Sequence, residues 1–229
     1  MRTKTSLRAV SSVSRLLTVA CCFALALVAF GAFVELGNSV VAHGEPGVFV
    51  PWERSLFDHS TLVAWWLTWA CYPAVLIPIS TAVLALAWRY SEWRARLILS
   101  VASLLISWRA ADYFQHVFER ARPVDWVVKH ETTFSYPSSH AGIATGFYAL
   151  LALMILTSDL PRTTRNVAGS LLVLLALAIC WSRLALGAHY ITDLVGGTLL
   201  GMVVVCLVLG VLAGGVFSGV GGRVSSAAE

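Results

Sequence analysis

Six stretches of this chain are apolar enough, and nearly long enough, to cross a lipid bilayer, and no other property of the sequence narrows its fold as much. A spanning helix needs about 20 predominantly apolar residues. Leu16 to Val34 carries no charge, and Thr61 to Trp88 has length to spare. Leu97 to Trp108 is short by itself, but the pattern continues through Ala110, Ala111, Tyr113 and Phe114. Ala141 to Ser158, Val167 to Trp181 and Leu194 to Phe217 complete the set. Hydrocarbon offers no hydrogen bonds to the backbone, so runs of this kind predict helices. The expected fold is therefore all-α, an integral membrane bundle of six transmembrane helices. It forms one domain over residues 1–229, with a basic N-terminal segment over 1–15 and a loose tail over about 218–229. Pro73 and Pro78 predict a kink or irregular turn in the second span.

Composition supports the same reading. Only 12% of residues are charged and 58% are apolar, against about 25% charged in an average soluble domain. That excludes a soluble enzyme or a disordered chain. The net charge of +4 does not point to nucleic acid, because the basic residues form no stripe with aromatics between them. The five cysteines lie in apolar runs, form no CxxC pair, and read as small buried side chains. The lipid bilayer is the one partner the composition demands, and no obligate protein partner is expected.

Lys and Arg in short connections set orientation. Arg2, Lys4, Arg8 and Arg15 precede the first span; Arg89, Arg94 and Arg96 follow the second; Arg162 and Arg165 follow the fourth; Arg223 lies in the tail. With six spans all of these fall on one side, which predicts cytoplasmic termini in a cell membrane, with a bacterial inner membrane favoured. The basic start and the apolar run before Val40-Val41-Ala42 resemble a signal peptide, but the run exceeds the roughly 7–15 residues of a signal core. An uncleaved first helix is expected.

Polar groups next to a span are expensive and are functional candidates. Three clusters fall at the predicted outer face: Gln115 to Pro123, Tyr136 to His140, and Ser182 to Asp193. In the third, His189 and Asp193 are four apart and share a face if the last helix begins near His189. A carboxylate there can take the Nδ1 proton, fix the tautomer and leave Nε2 free to attack. Arg183 offers a planar fork suited to phosphate. A plain His–Asp helix cap is the alternative. In the second, Ser138 or Ser139 can cap a helix whose first N–H groups bind an anion, and His140 can protonate a leaving oxygen. In the first, Pro123 should stop the helix with Arg122 held at its end, unless Arg122 only snorkels to the interface.

These residues resemble the type 2 phosphatidic acid phosphatase superfamily, whose signature is KxxxxxxRP, PSGH and SRxxxxxHxxxD. Here stand Arg122-Pro123, then Pro137-Ser138-Ser139-His140, then Ser182-Arg183 with His189 and Asp193. Ser139 replaces the glycine, and Gln115 occupies the lysine position. The resemblance implies a phosphatase that needs no cofactor and no metal and forms a phosphohistidine on His189. Asp193 would orient His189, and His140 would serve as general acid and then base. Arg122, Arg183, Ser138, Ser139 and Gln115 would hold the phosphoryl oxygens. Gln115 donates a hydrogen bond without charge, so the clamp is weaker or Arg120 or Lys129 substitutes. The expected substrate is a membrane lipid phosphate at the extracytoplasmic face. Undecaprenyl diphosphate leads, with phosphatidylglycerol phosphate, phosphatidic acid and lipid A phosphate as alternatives.

Two rival readings remain. The six histidines, His43, His59, His116, His130, His140 and His189, all fall near one face and could hold a metal, though no short ligand motif joins them. Arg109 and Asp112 could line a transport pathway, or form an ion pair that faces the bundle.

Overall fold

The computed structural model describes residues 3–56, 61–123 and 133–215. The Asp58, His59, Asp125, Lys129, His130 and Glu131 positions, and the tail over 218–229, lie outside these. The described residues are helical: α1 (Thr3–His43), α2 (Val50–Leu56), α3 (Thr61–Thr68), α4 (Pro73–Arg89), α5 (Arg94–Phe118), α6 (Ser139–Ile143), α7 (Leu150–Leu156), α8 (Arg162–Ala185) and α9 (Ile191–Ala213). A π-helical turn, Ala144–Ala149, joins α6 to α7, so Ser139–Leu156 forms one continuous rod.

Among the described residues five helices are long and apolar enough to cross a membrane, and the count is six when the pair α3–α4, bent by 49°, is taken as one span. The expected kink is there, and its place is informative. The chain breaks at Tyr72, where Pro73 opens α4, whereas Pro78 stays inside that helix. Proline lacks the N–H that a first helical turn leaves unused anyway, so it starts a helix more readily than it breaks one. The protein is therefore a multi-pass, all-helical membrane bundle.

The apolar residues point outward as well as inward. Leu27, Val28, Trp66, Ile77, Leu174 and Leu177 are all exposed on the bundle, as lipid-facing residues must be. The interior mixes large and small side chains. Phe33, Tyr136, Phe147 and Ile179 are fully buried, and small residues let backbones approach. A Cβ on Gly146 would strike Ser107, and one on Gly201 would strike Thr145 and the Gly142 carbonyl. The first and last spans pack side by side, with Cys22 near Gly210 and Val19 near Gly214, so they run antiparallel.

This packing sorts the loops into two ends. Glu92, Trp93, Arg96, Asp159 and Leu160 border one small hollow. The three polar clusters gather at the other end, where Ser135 N donates to the Arg120 carbonyl (2.8 Å) and Ser138 N to the Asp193 carbonyl (3.0 Å). Arg109 and Asp112 do pair, at 3.6 Å, but their side chains are 71% and 40% exposed. The expectation of a pair facing the bundle is corrected for Arg109, which points outward, while Asp112 borders the large cavity; α5 buries Ser103, Ser107 and Ala111 instead.

Candidate active site

The site is built at the ends of α5, α6, α8 and α9. α5 stops at Phe118, well before Pro123, because Glu119 takes a left-handed backbone (φ 48°). Arg122 is thus in the loop beyond the helix, not at its last turn. Likewise α9 starts at Ile191, two residues after His189. Tyr190 caps it, with Asp193 accepting from the Tyr190 N–H. His189 and Asp193 still meet, with Nδ1 and Oδ2 3.4 Å apart and both side chains buried.

The tautomer of His189 follows from its neighbour. Arg122 Nη1 lies 3.1 Å from His189 Nε2. A guanidinium can only donate, so Nε2 carries the lone pair and the ring proton sits on Nδ1, toward Asp193. The lone-pair nitrogen is thus the one facing Arg122. The same Nη1 also donates to the Ala188 carbonyl (2.9 Å), while Nε and Nη2 donate to the carbonyl and hydroxyl of Thr133 (2.8 Å each).

His140 comes from the other wall. Its Nε2 is buried and meets no hydrogen-bond partner among the described residues, while the ring is held by the Thr68 backbone and lies edge-on to Tyr72 at 5.6 Å. Arg183 is almost fully buried, and its Nη1 donates to Thr68 Oγ1 (2.8 Å). Thr68 therefore carries both a family-type arginine and a histidine, a role its place in an apolar run concealed. Ser138 caps α6, its Oγ accepting from Ala141 N (3.4 Å). Gln115 is buried, and its Nε2 donates to the Pro137 carbonyl (2.9 Å) and to Ser139 Oγ (3.1 Å). It braces the Pro137–His140 turn, as a neutral side chain can and a lysine could do only at the cost of burying its charge.

Arg120 does not fill the lysine's place. Its Nη1 donates to Asp193 Oδ1 (2.5 Å) and Thr192 Oγ1 (2.8 Å), and its Nη2 to Glu45 Oε2 (2.9 Å). Burial opposes its charge, but Asp193 and Glu45 outweigh this and raise its pKa. Ser135 Oγ also donates to Asp193 Oδ2. Glu45 accepts from Thr192 Oγ1, and Glu53 accepts from Ile191 N (2.7 Å). Burial, with Glu45 and Asp193 nearby, pushes the Glu53 carboxyl up to about 7. Nothing in the sequence links Glu45 and Glu53 to Asp193, which lies more than a hundred residues away.

A cavity of about 770 Å³ opens onto these groups. Gln115, Arg122, Thr133, Ser139, His140 and His189 line it together with Asp112, Ser80 and Thr81, and Leu76, Ile77, Leu84, Leu105 and Trp108 give it a largely apolar wall. Arg183 and Ser138 are not on this wall. His43 and His116 are exposed and bond carbonyls of their own helices, so of the described histidines only His140 and His189 come together.

A sequence model of the PAP2 superfamily matches residues 93–214, which is more than half of the chain. The chain belongs to the PAP2 superfamily. Relatives within reach of sequence comparison agree with this. It is 36% identical over 98 residues to phosphatidylglycerophosphatase B of Bacillus subtilis (strain 168), covering 40% of this chain and 46% of that protein. It is 32% identical over 134 residues to the putative undecaprenyl-diphosphatase YbjG of Escherichia coli (strain K12), covering 56% and 62%. The chain thus spans about half to three fifths of the relatives it matches. The fold matches the crystal structure of a transmembrane PAP2 type phosphatidylglycerolphosphate phosphatase from Bacillus subtilis. That match has a TM-score of 0.66 at 22% identity and covers 80% of this chain and 93% of the other. Within this PAP2 chain, Glu45, in the loop after α1, and Glu53, on α2, lie outside the matched region.

Proposed function

We propose that this chain hydrolyses a phosphomonoester or diphosphate of a membrane lipid through a phosphohistidine on His189. One observation carries the reading: a single cavity runs from an apolar wall on α4 and α5 to His189, Arg122 and His140. An amphiphile fits such a space, with its chain along the apolar wall and its phosphate at the histidines. Nε2 of His189 attacks phosphorus, and Asp193 stabilises the imidazolium that develops. Negative charge spreads over three oxygens in the transition state, so Arg122, Arg183, Ser139, Ser138 and Gln115 serve as clamp and brace. Arg122 now donates to Nε2 itself, and the phosphoryl oxygens would take over that donor. His140 protonates the leaving oxygen, then takes a proton from the water that cleaves the phosphohistidine. Side chains supply each of these roles, without a metal or cofactor.

Undecaprenyl diphosphate is the lead substrate. Phosphatidylglycerol phosphate is the first alternative, followed by phosphatidic acid and lipid A phosphate, and the relatives' names include both of the first two. Purified protein in detergent with EDTA should release inorganic phosphate from this panel, fastest from undecaprenyl diphosphate. Faster release from another member would reassign the substrate. No release from any member would sink the enzymatic reading and revive a transport or binding role.

The site is proposed to face away from the cytoplasm, because Arg89, Arg94, Arg96, Arg162 and Arg165 connect spans at the opposite end. In a cysteine-free background, Ser55→Cys should react with an impermeant maleimide in intact cells. Arg162→Cys should react only after permeabilisation. The reverse pattern would invert the topology.

A further inference from the structure

We propose that Arg120, held in place by Glu45, is the positioning residue that fixes Asp193 beneath the His189 nucleophile. The proposal rests on the phosphohistidine reading above and extends it to residues outside the family's motifs.

Asp193 is fully buried, and a buried carboxylate stays ionised only when charge and hydrogen bonds compensate it. Among the described residues its charged and titratable neighbours are Arg120, Glu45, Glu53, His189, Tyr190 and Tyr136. Arg120 is the cation in direct contact, at 2.5 Å on Oδ1. It leaves Oδ2 for Ser135, the Tyr190 N–H and His189 Nδ1. One oxygen thus takes the guanidinium and the other faces the catalytic ring, so Arg120 sets the rotation of the carboxylate.

Arg120 would not hold that pose alone, since its loop follows a helix that ends two residues earlier. Glu45 accepts from Nη2 on the far side of the fork and, with the same oxygen, from Thr192 Oγ1. The face of the guanidinium packs over the Tyr190 ring, 4.3 Å from its centroid. Carboxylates on both sides and an aromatic face leave one orientation open to it. Glu53, bonded to Ile191 N, anchors the same helix start.

The experiment compares Arg120→Gln, Arg120→Lys, Glu45→Gln and the Glu45→Gln/Arg120→Gln pair with the parent. It measures kcat, KM, pH profile and melting temperature on undecaprenyl diphosphate and phosphatidylglycerol phosphate. A misplacement of about 1 Å can lower turnover roughly 100-fold, so Arg120→Gln should lower kcat by about that factor with KM within about threefold. Its acidic kcat limb should move to higher pH, because Asp193 then takes up a proton without an opposing cation. Arg120→Lys keeps the charge and should restore the limb while recovering part of kcat. Glu45→Gln should lower kcat about tenfold in a folded protein, and the pair should fall by much less than the product. A kcat for Arg120→Gln within threefold of the parent overturns the proposal. So does a fall with an unmoved acidic limb. If Arg120→Gln does not fold, Glu45→Gln decides by turnover alone: a kcat within threefold of the parent overturns the proposal. Parental turnover by His189→Ala would overturn the underlying mechanism instead, whatever Arg120 does.

Discussion

His189→Ala should fold, insert and bind lipid, yet lose turnover by roughly 10⁴-fold or more on every substrate, as removal of a covalent nucleophile does. The reason is geometric. His189 Nε2 is the lone pair facing Arg122 at the cavity, and Asp193 lies on the ring's other nitrogen. His140 should fail differently. A general acid contributes roughly 10²–10⁴-fold when the leaving group is poor. His140→Ala should therefore be strongly impaired on a lipid alkyl phosphate and much less so in the first step with p-nitrophenyl phosphate, whose leaving group needs little protonation. Rapid-quench trapping of acid-labile phosphohistidine separates the two: none in His189→Ala, and accumulation in His140→Ala with the activated ester, because the water step also needs His140. Phosphoenzyme in His189→Ala would disprove the assigned nucleophile.

Gly197→Ala should lose stability as well as about 100-fold in turnover, although Gly197 belongs to no motif. It lies on the first turns of α9, and an added Cβ there would overlap the Ser138 carbonyl oxygen and press on Ala141. Neither neighbour is a flexible side-chain end, so the Pro137–His140 turn must move away from α9. The Ser138 N–H bond to the Asp193 carbonyl (3.0 Å) would stretch with it. Overpacking of this kind costs about 1–3 kcal/mol, and displacement of a catalytic group by about 1 Å costs roughly 10²-fold in rate. Gly31→Ala is the control, since a Cβ there meets nothing within 4 Å. Circular dichroism melts and phosphate release should show Gly197→Ala impaired on both counts and Gly31→Ala unchanged. Equal behaviour of the two would show that α9 and the turn are not in fixed register.

Much of this was legible from residue order, for reasons that can be named. Hydrocarbon forces backbone bonds into local helices, so apolar runs such as Leu194 onward translate directly into spans. Pro73 marked the break in the second span because proline acts locally. His189 and Asp193 were legible as a pair because four residues bring them near one another even with the helix starting after His189. What escaped was carried by contacts distant in sequence. Arg120 was one of the alternatives for the missing lysine, beside Lys129 and a weaker clamp, but its partners, Glu45 and Asp193, lie about 75 residues before it and 73 after it, and no periodicity links them. Gln115 was read as an uncharged phosphate ligand, and its bonds to the Pro137 carbonyl and Ser139 could not be seen in its spacing. The outward turn of Arg109, and the place of Asp112 at the cavity, depended on which stripe of α5 packs against its neighbours. Spacing along one helix does not contain that choice.

The bend between α3 and α4 has a kinetic meaning if the proposed substrate is right. It leaves the apolar wall from Leu76 to Leu84 beside α5, so a lipid could reach the histidines without leaving its leaflet. Encounter is then a search in two dimensions. The quantity that saturates such an enzyme is the mole fraction of substrate in the surface, and diluting the membrane with inert lipid slows it even when the bulk concentration is held constant.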